Sequence, residues 1–208
     1  MKPTPKSPPR NQTADTARQQ IVEAARAHFF SHGFCSVTMD DLAQGLAISK
    51  KTLYANFPSK IALLEAVLDD KFAGLEANLK EVTRAHPHDF SVALHELLSN
   101  ALRELDEIKP PFARDVRQKV PQVFKMVERR RVELIERSFG KLFVAGQRTG
   151  MVRKDLPARV MIEILLAAVQ AIVNPVKIQE LGLTPKDAFA AVIRVVLEGV
   201  ITQKGRKT

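Results

Sequence analysis

Apolar residues recur at intervals of three and four positions along most of this chain, which is the spacing of one helical face. Glycine and proline interrupt the pattern at a few places and set the ends of the segments. The pattern therefore predicts an all-α fold. The predicted helices cover residues 17–32, 38–46, 49–57, 61–82, 90–108, 121–147, 158–173 and 186–201.

Two short predicted helices lie close together in the first third of the chain. Thr38 and Asp41 have the spacing of a capping box, which predicts the start of the first short helix. A turn falls at residues 47–48, and Ser49 is the predicted N-cap of the second short helix. Pro58 ends that helix. This is a helix-turn-helix arrangement, in which the second helix enters the major groove of DNA.

The outward face of the second short helix carries polar and basic residues but no acid. Residues at the amino-terminal end of such a helix contact base edges, and flanking polar residues hold phosphate. Lys60 would lie in the first turn of the following helix, where free backbone N–H groups also favour phosphate. The predicted DNA-binding residues are Thr38, Ser49, Lys50, Lys51, Thr52, Tyr54, Asn56 and Lys60.

The same region carries a pattern that extends over many positions: GF at 33–34, Thr38, DLA at 41–43 and ISKKTLYANFPSK at 48–60. This pattern strongly resembles the DNA-binding domain of the TetR family of bacterial transcriptional regulators. The resemblance covers about the first third of the chain. It implies a dimeric repressor whose DNA binding responds to a ligand.

Four parts are expected along the chain. Residues 1–15 hold four of the twelve prolines and are predicted to form a disordered basic tail. This tail is either solvated or a basic arm that contacts DNA. Residues 16–60 form the helix-turn-helix DNA-binding domain, and residues 61–203 form a larger helical body for ligand binding and dimerisation. Residues 204–208 form a basic carboxy-terminal tail.

The distribution of charge supports a nucleic-acid partner. The chain has a formal net charge of +9, which suits either nucleic acid or an anionic membrane surface. Residues 1–60 hold eight Lys or Arg against four Asp or Glu, whereas residues 61–203 hold 21 against 19. The excess therefore belongs to the ends of the chain. A single cysteine and an amino terminus without an apolar segment predict a cytoplasmic protein. The TetR resemblance implies a bacterial protein associated with the nucleoid.

The last two long helices are apolar over most of their circumference. Each carries only a narrow polar stripe, so both need cover on two sides. Charged residues within runs of about 14 residues exclude a membrane hairpin. One side is expected to pack on the body and the other on a second subunit, giving a homodimer. The predicted interface residues are Leu165, Ala168, Val169, Ile172, Val192, Val195 and Val196.

Aromatic residues in the body suggest a cavity for a small apolar effector between the helix from Ile61 and the helices from Phe90 to Gln147. The same side chains more often form a solid core. The candidate ligand-binding residues are Phe72, Phe112, Phe124, Met126, Phe139 and Phe143. A ligand bound there would tilt the bridging helix and weaken DNA binding.

No enzyme chemistry, cofactor or metal is predicted. His28, His32 and Cys35 lack a fourth ligand, and Gly33 separates the helix from the cysteine, so packing is favoured over a metal site. The sequence contains no Gly-rich phosphate loop or nucleophile with a base. We therefore expect a sequence-specific regulator released from a palindromic operator by a small apolar ligand. The alternative is a constitutive or architectural DNA-binding dimer without a ligand.

Overall fold

The computed structural model describes residues 10–86 and 89–201, and these residues fold into ten α-helices. The helices are α1 (Arg10–His32), α2 (Met39–Gly45), α3 (Lys50–Asn56), α4 (Lys60–Ala85), α5 (Phe90–Glu107), α6 (Pro110–Lys119), α7 (Pro121–Thr149), α8 (Ala158–Ile172), α9 (Pro175–Leu181) and α10 (Pro185–Val200). Within the described ranges the only β pairing is a bridge between Val152 and Ile201. The predicted all-α class is confirmed.

The helices differ from the prediction chiefly in three places. Helix α1 begins at Arg10 rather than near residue 17, since no proline lies between residues 10 and 17 to prevent an earlier start. Residues 10–15 of the predicted tail are therefore helical, and residues 1–9 and the predicted tail at 204–208 lie outside the described residues. Residues 110–119, which lie between two predicted helices, form helix α6, because two prolines in the first turn start a helix rather than only ending one.

The third difference is the short helix α9, which the apolar pattern does not predict. Asn174 caps it, its side chain accepting a hydrogen bond from the Lys177 backbone N–H, and Pro175 follows at the first helical position. Gly182 ends the helix with a left-handed φ of 63°. Val176 and Leu181 remain exposed, so the signal for this helix lies in its caps and not in a buried face.

Two hydrophobic clusters hold the chain together. The first cluster contains residues of α1, α2, α3 and the start of α4. It also includes Phe112, Val116, Val120 and Val123. The second unites the later part of α4 with α5, α7, α8 and α10. The core of the amino-terminal head therefore extends past residue 60 into α6 and the start of α7. Helix α4 runs through both clusters.

Polar contacts reinforce the junction between head and body. The Cys35 backbone N–H donates to Asp115 Oδ2 at 2.8 Å, and the Lys109 N–H donates to the Phe30 carbonyl at 3.1 Å. The rings of Phe30 and Phe112 lie 4.8 Å apart between their centroids. Helix α6 is thus fixed to α1 and to the loop that leads into α2.

Two turn residues allow a paired stability prediction. Ala47 has a left-handed φ of 52° although it carries a side chain, and it is exposed. We expect Ala47→Gly to raise the free energy of unfolding by about 0.5 to 1 kcal/mol, because the relieved strain exceeds the added chain entropy. Denaturant titration at fixed protein concentration measures this change.

Gly33→Ala should act in the opposite direction. Gly33 has a φ of 95°, and an added Cβ would lie 2.9 Å from Asp115 Oδ2 and 3.2 Å from Pro111 Cβ. A loss of about 1 to 3 kcal/mol is expected from backbone strain, before the contact with α6 is counted. Equal effects of the two substitutions would contradict the assigned turn geometry.

Candidate nucleic-acid interface

The amino terminus of α2 is fixed by a reciprocal cap. The Asp41 backbone N–H donates to Thr38 Oγ1 at 3.1 Å, and the Thr38 backbone N–H donates to Asp41 Oδ2 at 2.9 Å. The Thr38 hydroxyl also donates to the same carboxylate at 2.7 Å. These hydrogen bonds hold the pKa of Asp41 below its ordinary value. The predicted capping box is confirmed.

The turn and the start of α3 are equally well fixed. The Ile48 N–H donates to the Ala43 carbonyl at 3.0 Å, which closes the end of α2. Ser49 then caps α3 by accepting a hydrogen bond from the Thr52 N–H at 3.0 Å. Ser59 caps α4 in the same way through the Ala62 N–H at 3.1 Å. Each short helix therefore has its own start signal.

The inner face of α3 packs on the head. Leu53 is fully buried and Phe57 nearly so, and both belong to the first hydrophobic cluster together with Phe29 and Leu63. This packing fixes the rotation of α3 about its own axis. Its opposite face is consequently held toward solvent.

That outer face carries the exposed residues Lys51, Thr52 and Tyr54. Tyr54 is 48% exposed, which leaves an aromatic ring and a hydroxyl at the surface. Among the described residues no carboxylate lies within 4 Å of Lys51. Lys50 differs, because its Nζ lies 2.6 Å from Asp40 Oδ2 and this contact raises the pKa of Lys50. Lys51 is thus the available cation at the amino-terminal end of α3.

Three other predicted DNA-binding residues make contacts within the protein. The Thr38 hydroxyl is used by the cap, and the Asn56 amide donates to the Thr52 carbonyl at 2.9 Å. Lys60 Nζ lies 4.3 Å from the centroid of the Phe34 ring. Partial burial lowers the pKa of Lys60, against the opposing effect of nearby acids including Asp115.

Arg18 is a candidate phosphate contact that sequence reasoning missed. This exposed α1 residue places its guanidinium 4.7 Å from the centroid of the Phe57 ring, beside the carboxy-terminal end of α3. The two residues are far apart in sequence, and only the packing of α1 on α3 brings them together. No local signal in the sequence could have identified this pair.

Comparison with known proteins shows that the chain is similar to bacterial transcriptional regulators. The family described as "Bacterial regulatory proteins, tetR family" matches residues 21–67, which span α1 to the second turn of α4. The HTH-type transcriptional regulator UidR of Escherichia coli is 26% identical over 196 residues, covering 91% of this chain and 95% of UidR. The HTH-type transcriptional repressor DhaR of Mycobacterium sp. is 25% identical over 182 residues, covering 85% of this chain and 89% of DhaR.

Residues 21–67 belong to the TetR family of DNA-binding domains. The fold of the chain is also shared with known structures: a SmeT–triclosan complex superposes with a TM-score of 0.63 at 15% identity, covering 90% of this chain and 93% of that one. The protein is a DNA-binding transcriptional regulator with a helix-turn-helix, and its relatives are regulators rather than enzymes. The family resemblance inferred from residues 33–60 is confirmed.

The six candidate ligand-binding residues do not surround one cavity. Phe112 belongs to the first hydrophobic cluster, and Phe124 and Met126 pack against it. Phe139 and Phe143 belong to the second cluster, with their ring centroids 6.3 Å apart. The buried ring of Phe72 lies beneath the guanidinium of Arg130 at 5.5 Å. These side chains therefore lie in different parts of the structure.

The described body has two clefts along α4, and both are lined with charged residues. One lies between α4 and α7 and has a volume of about 240 Å³. The other lies between α4 and α5, has a volume of about 950 Å³ and opens widely to solvent. Asn100 and Arg103 line the second cleft, where the Asn100 amide donates to Asn78 Oδ1 at 2.7 Å. Neither cleft has a wholly apolar lining.

The predicted interface residues on α8 and α10 divide into two groups. Leu165, Val169 and Val192 are buried within the protomer's second cluster, while Ala168, Ile172 and Val196 are half-buried against it. Val195 is 73% exposed. The apolar residues exposed on these two helices are Val160, Ile164, Ala167, Ala171, Ala191 and Val195. This set, here called the α8–α10 face, differs from the predicted set in all but Val195.

The residues considered for a metal site are engaged in local contacts. The His28 and His32 rings stack with centroids 5.8 Å apart. Burial and hydrogen bonding to Asp115 raise the pKa of the Cys35 thiol.

Among the described residues no helix is long and apolar enough to span a membrane.

Proposed function

We propose that this regulator is a repressor that binds a palindromic operator as a homodimer and is released by a small effector. The observation that carries the DNA-binding part is the outer face of α3, which is polar, exposed and rigidly positioned by caps on both sides. The relative DhaR is named a transcriptional repressor, which supports the direction of regulation. A protein with this role acts on DNA in the bacterial cytoplasm.

The α8–α10 face supports the dimer. Ile164 is 50% exposed and Val195 is 73% exposed, on helices that pack against each other in the second cluster. The face also includes small exposed residues such as Ala167 and Ala191, which permit close approach of helices. Two copies of this face would bury one another in a two-fold arrangement and pair two copies of α3.

A binding experiment tests the operator proposal. The regulator's affinity for DNA from upstream of its own gene is compared with its affinity for random DNA at one salt concentration. We expect a ratio of about 10³ or more for a sequence-specific binder. A ratio near one would favour the architectural alternative.

Substitutions should separate base contacts from phosphate contacts. Lys51 is exposed at the start of α3 without an acidic partner among the described residues, so we assign it, with Lys50 and Thr52, to base edges. Lys51→Ala should reduce the preference at particular operator positions by about 1 to 3 kcal/mol. Competition binding with single-base operator variants measures this loss.

Lys60→Ala is the contrasting variant. Lys60 lies at the first position of α4, so we assign it to phosphate together with Thr38 and Tyr54. Its removal should weaken binding to all sequences alike and reduce the salt slope of log K by about 1. An unchanged base preference in Lys51→Ala would contradict the assignment of Lys51.

The effector proposal rests on the course of α4. This helix shares the head cluster at Leu63, Leu64 and Val67 and borders both body clefts at its other end. A ligand in the body that prefers one tilt of α4 would change the spacing of two α3 helices, which must meet grooves about 34 to 36 Å apart. The SmeT structure is a complex with triclosan, which supports a small-molecule ligand for a similar fold. A body that only dimerises is the alternative.

A further inference from the structure

The cleft between α4 and α7 combines positive charge with an apolar floor. Four cations and one acid line it, and two leucines and two hydroxyls complete the wall. The lining residues are Glu76, Leu79, Lys80, Thr83, Arg84, Leu134, Arg137, Ser138 and Lys141. We call this site the α4–α7 groove.

The cations form two pairs that repel each other. Lys80 and Arg84 lie four residues apart on α4, and Arg137 and Lys141 lie four residues apart on α7. Like charges at this spacing destabilise a helix slightly. Here two such pairs face one groove, so the protein maintains an unfavourable arrangement that a bound anion would relieve.

The acids nearby compensate for only one of these pairs. Lys80 Nζ lies 3.9 Å from Glu76, and Arg84 Nη2 lies 3.4 Å from Glu81. Arg137 and Lys141 have no carboxylate within 4 Å among the residues that the structure describes. The α7 side of the groove therefore presents two unpaired cations.

DNA binding does not explain these charges. Arg84 follows Lys60 by 24 positions on the same helix, which places it about 36 Å away along the axis at 1.5 Å per residue. Several Debye lengths of about 8 Å separate the groove from the DNA-binding end of α4. The charges of the groove therefore lie beyond the reach of DNA bound at that end.

The remaining lining residues suggest the chemistry of an occupant. Leu79 and Leu134 are half-buried and present apolar surface from the two helices, and the half-buried Ser138 adds a hydroxyl donor. A volume of about 240 Å³ lies just below the range of roughly 300 to 1,000 Å³ that is usual for ligand pockets. The occupant must be small, with an apolar part and an anionic part.

We propose that the α4–α7 groove binds a small amphipathic anion, a carboxylate or phosphate carried on a short apolar group. Arg137 and Lys141 hold the anion from α7, Lys80 and Arg84 approach it from α4, and the two leucines contact the apolar group. Such a ligand bridges α4 and α7 and stabilises one relative position of these helices. The inference that this ligand is the effector rests on the proposed repressor function. The inference that the groove binds the ligand does not depend on that function.

Calorimetric titration of the full chain without DNA tests the binding. The amphipathic anions used are octanoate, phenylacetate and hexyl phosphate. Octanamide and phenylacetamide supply the apolar group without charge, and acetate and inorganic phosphate supply charge without the apolar group. We expect measurable binding only for the amphipathic anions, weakening as salt is added. Absence of binding by all three at millimolar concentration, or equal binding of the amides, overturns the proposal.

Charge-removing variants locate the site. Arg137→Gln/Lys141→Gln keeps most of each stem and should weaken binding of the amphipathic anions about tenfold or more. Arg148→Gln removes an exposed cation from the last turn of the same helix and should leave binding unchanged. Arg103→Gln, in the cleft beside α5, should also have no effect. Loss of binding in Arg103→Gln with retention in the double variant would place the ligand in the other cleft and overturn the assignment.

Operator binding is then measured with and without the strongest-binding anion. A shift of about 5 to 150-fold that disappears in the double variant identifies the groove as the effector site. Specific operator binding without any shift would leave a ligand-binding groove with no regulatory role. Anion binding in a chain that shows no operator preference would contradict the proposed function and leave the groove intact.

Discussion

Val195→Asp is expected to convert the proposed homodimer into monomers and to remove tight operator binding. Val195 is 73% exposed in the protomer, so the substitution does not disturb the protomer's own core. In the dimer the aspartate would be buried against an apolar surface in both subunits, at a cost of several kcal/mol. Since about 1.4 kcal/mol is a tenfold change, association should weaken more than about 100-fold. Sedimentation velocity at micromolar concentration measures this change.

The loss of operator affinity follows from geometry. A dimer places two copies of α3 in successive major grooves, whereas a monomer contacts one half-site. In the proposed dimer, binding of one head to its half-site holds the second head at a high effective concentration near the other half-site. A monomer loses this effect. Val195→Asp should therefore bind operator and random DNA with similar affinity.

Val92→Asp is the matched control. Val92 is 38% exposed on α5, outside the α8–α10 face, so the same charge should leave the proposed dimer intact. A cooperative thermal transition close to that of the unmodified chain would show that each variant is folded. If Val195→Asp remained a dimer, as Val92→Asp is expected to, that result would contradict the proposed interface.

The helix-turn-helix could be predicted because its signals are local. Thr38, Ser49 and Ser59 each precede a helix and accept a hydrogen bond from a backbone N–H three residues ahead. These hydrogen bonds depend on neighbouring residues in sequence, so a pattern of few positions determines them. The left-handed Ala47 could not be predicted, since glycine is the usual residue in that conformation and Gly45 stood nearby.

Helix α6 shows why local signals also misled. The pair Pro110 and Pro111 is compatible with the end of one helix and with the start of the next. Tertiary contacts explain its place in the fold: the Phe30 carbonyl accepts from the Lys109 N–H, and Asp115 accepts from the Cys35 N–H. These partners are about 80 residues apart in sequence, so periodicity carried no information about them.

The predicted interface residues on α8 and α10 differ from the exposed residues of these helices for a related reason. Both helices are apolar around most of their circumference, so the sequence indicates that two sides are covered but not which side faces the protomer. Leu165 and Val192 lie inward, while Ile164 and Val195 lie outward. Leu165 follows Ile164 directly, and a helix turns by about 100° at each residue. Only the packing of α8 on α7 and α10 determines this rotation.

Lys71 holds together a network of charges between head and body. It is 6% exposed, and its Nζ makes ion pairs with Glu104 and Glu107 on α5. Arg26 on α1 lies 2.6 Å from Glu107 through Nη2, which links the head to the same carboxylate. The Lys71 ammonium also lies 5.3 Å from the centroid of the Phe30 ring. Three helices therefore meet at one buried cation.

Lys71→Met is expected to lower the free energy of unfolding by about 2 to 3 kcal/mol. The apolar stem is retained, but two carboxylates lose their common cation. Removal of one partner from a fully buried ion pair costs roughly 3 to 5 kcal/mol, and the Glu104 and Glu107 side chains are 34% and 31% exposed, which reduces the effect. Denaturant unfolding at neutral pH measures the loss. Arg129→Met, which removes a 73% exposed cation paired with Glu133, should change stability by less than about 1 kcal/mol.

The pH dependence distinguishes this network from simple packing. Burial acts to raise the pKa of Glu107, but the hydrogen bonds and charges of Lys71 and Arg26 outweigh it and hold that pKa below its ordinary value. A carboxylate with a lowered pKa stabilises the fold above its unfolded pKa, near 4.5, and this contribution is lost as the pH falls through the lower folded value. The difference between the unmodified chain and Lys71→Met should therefore shrink on acidification below about pH 4.5. A difference that stays constant from neutral to acidic pH would show that Lys71 contributes by packing alone.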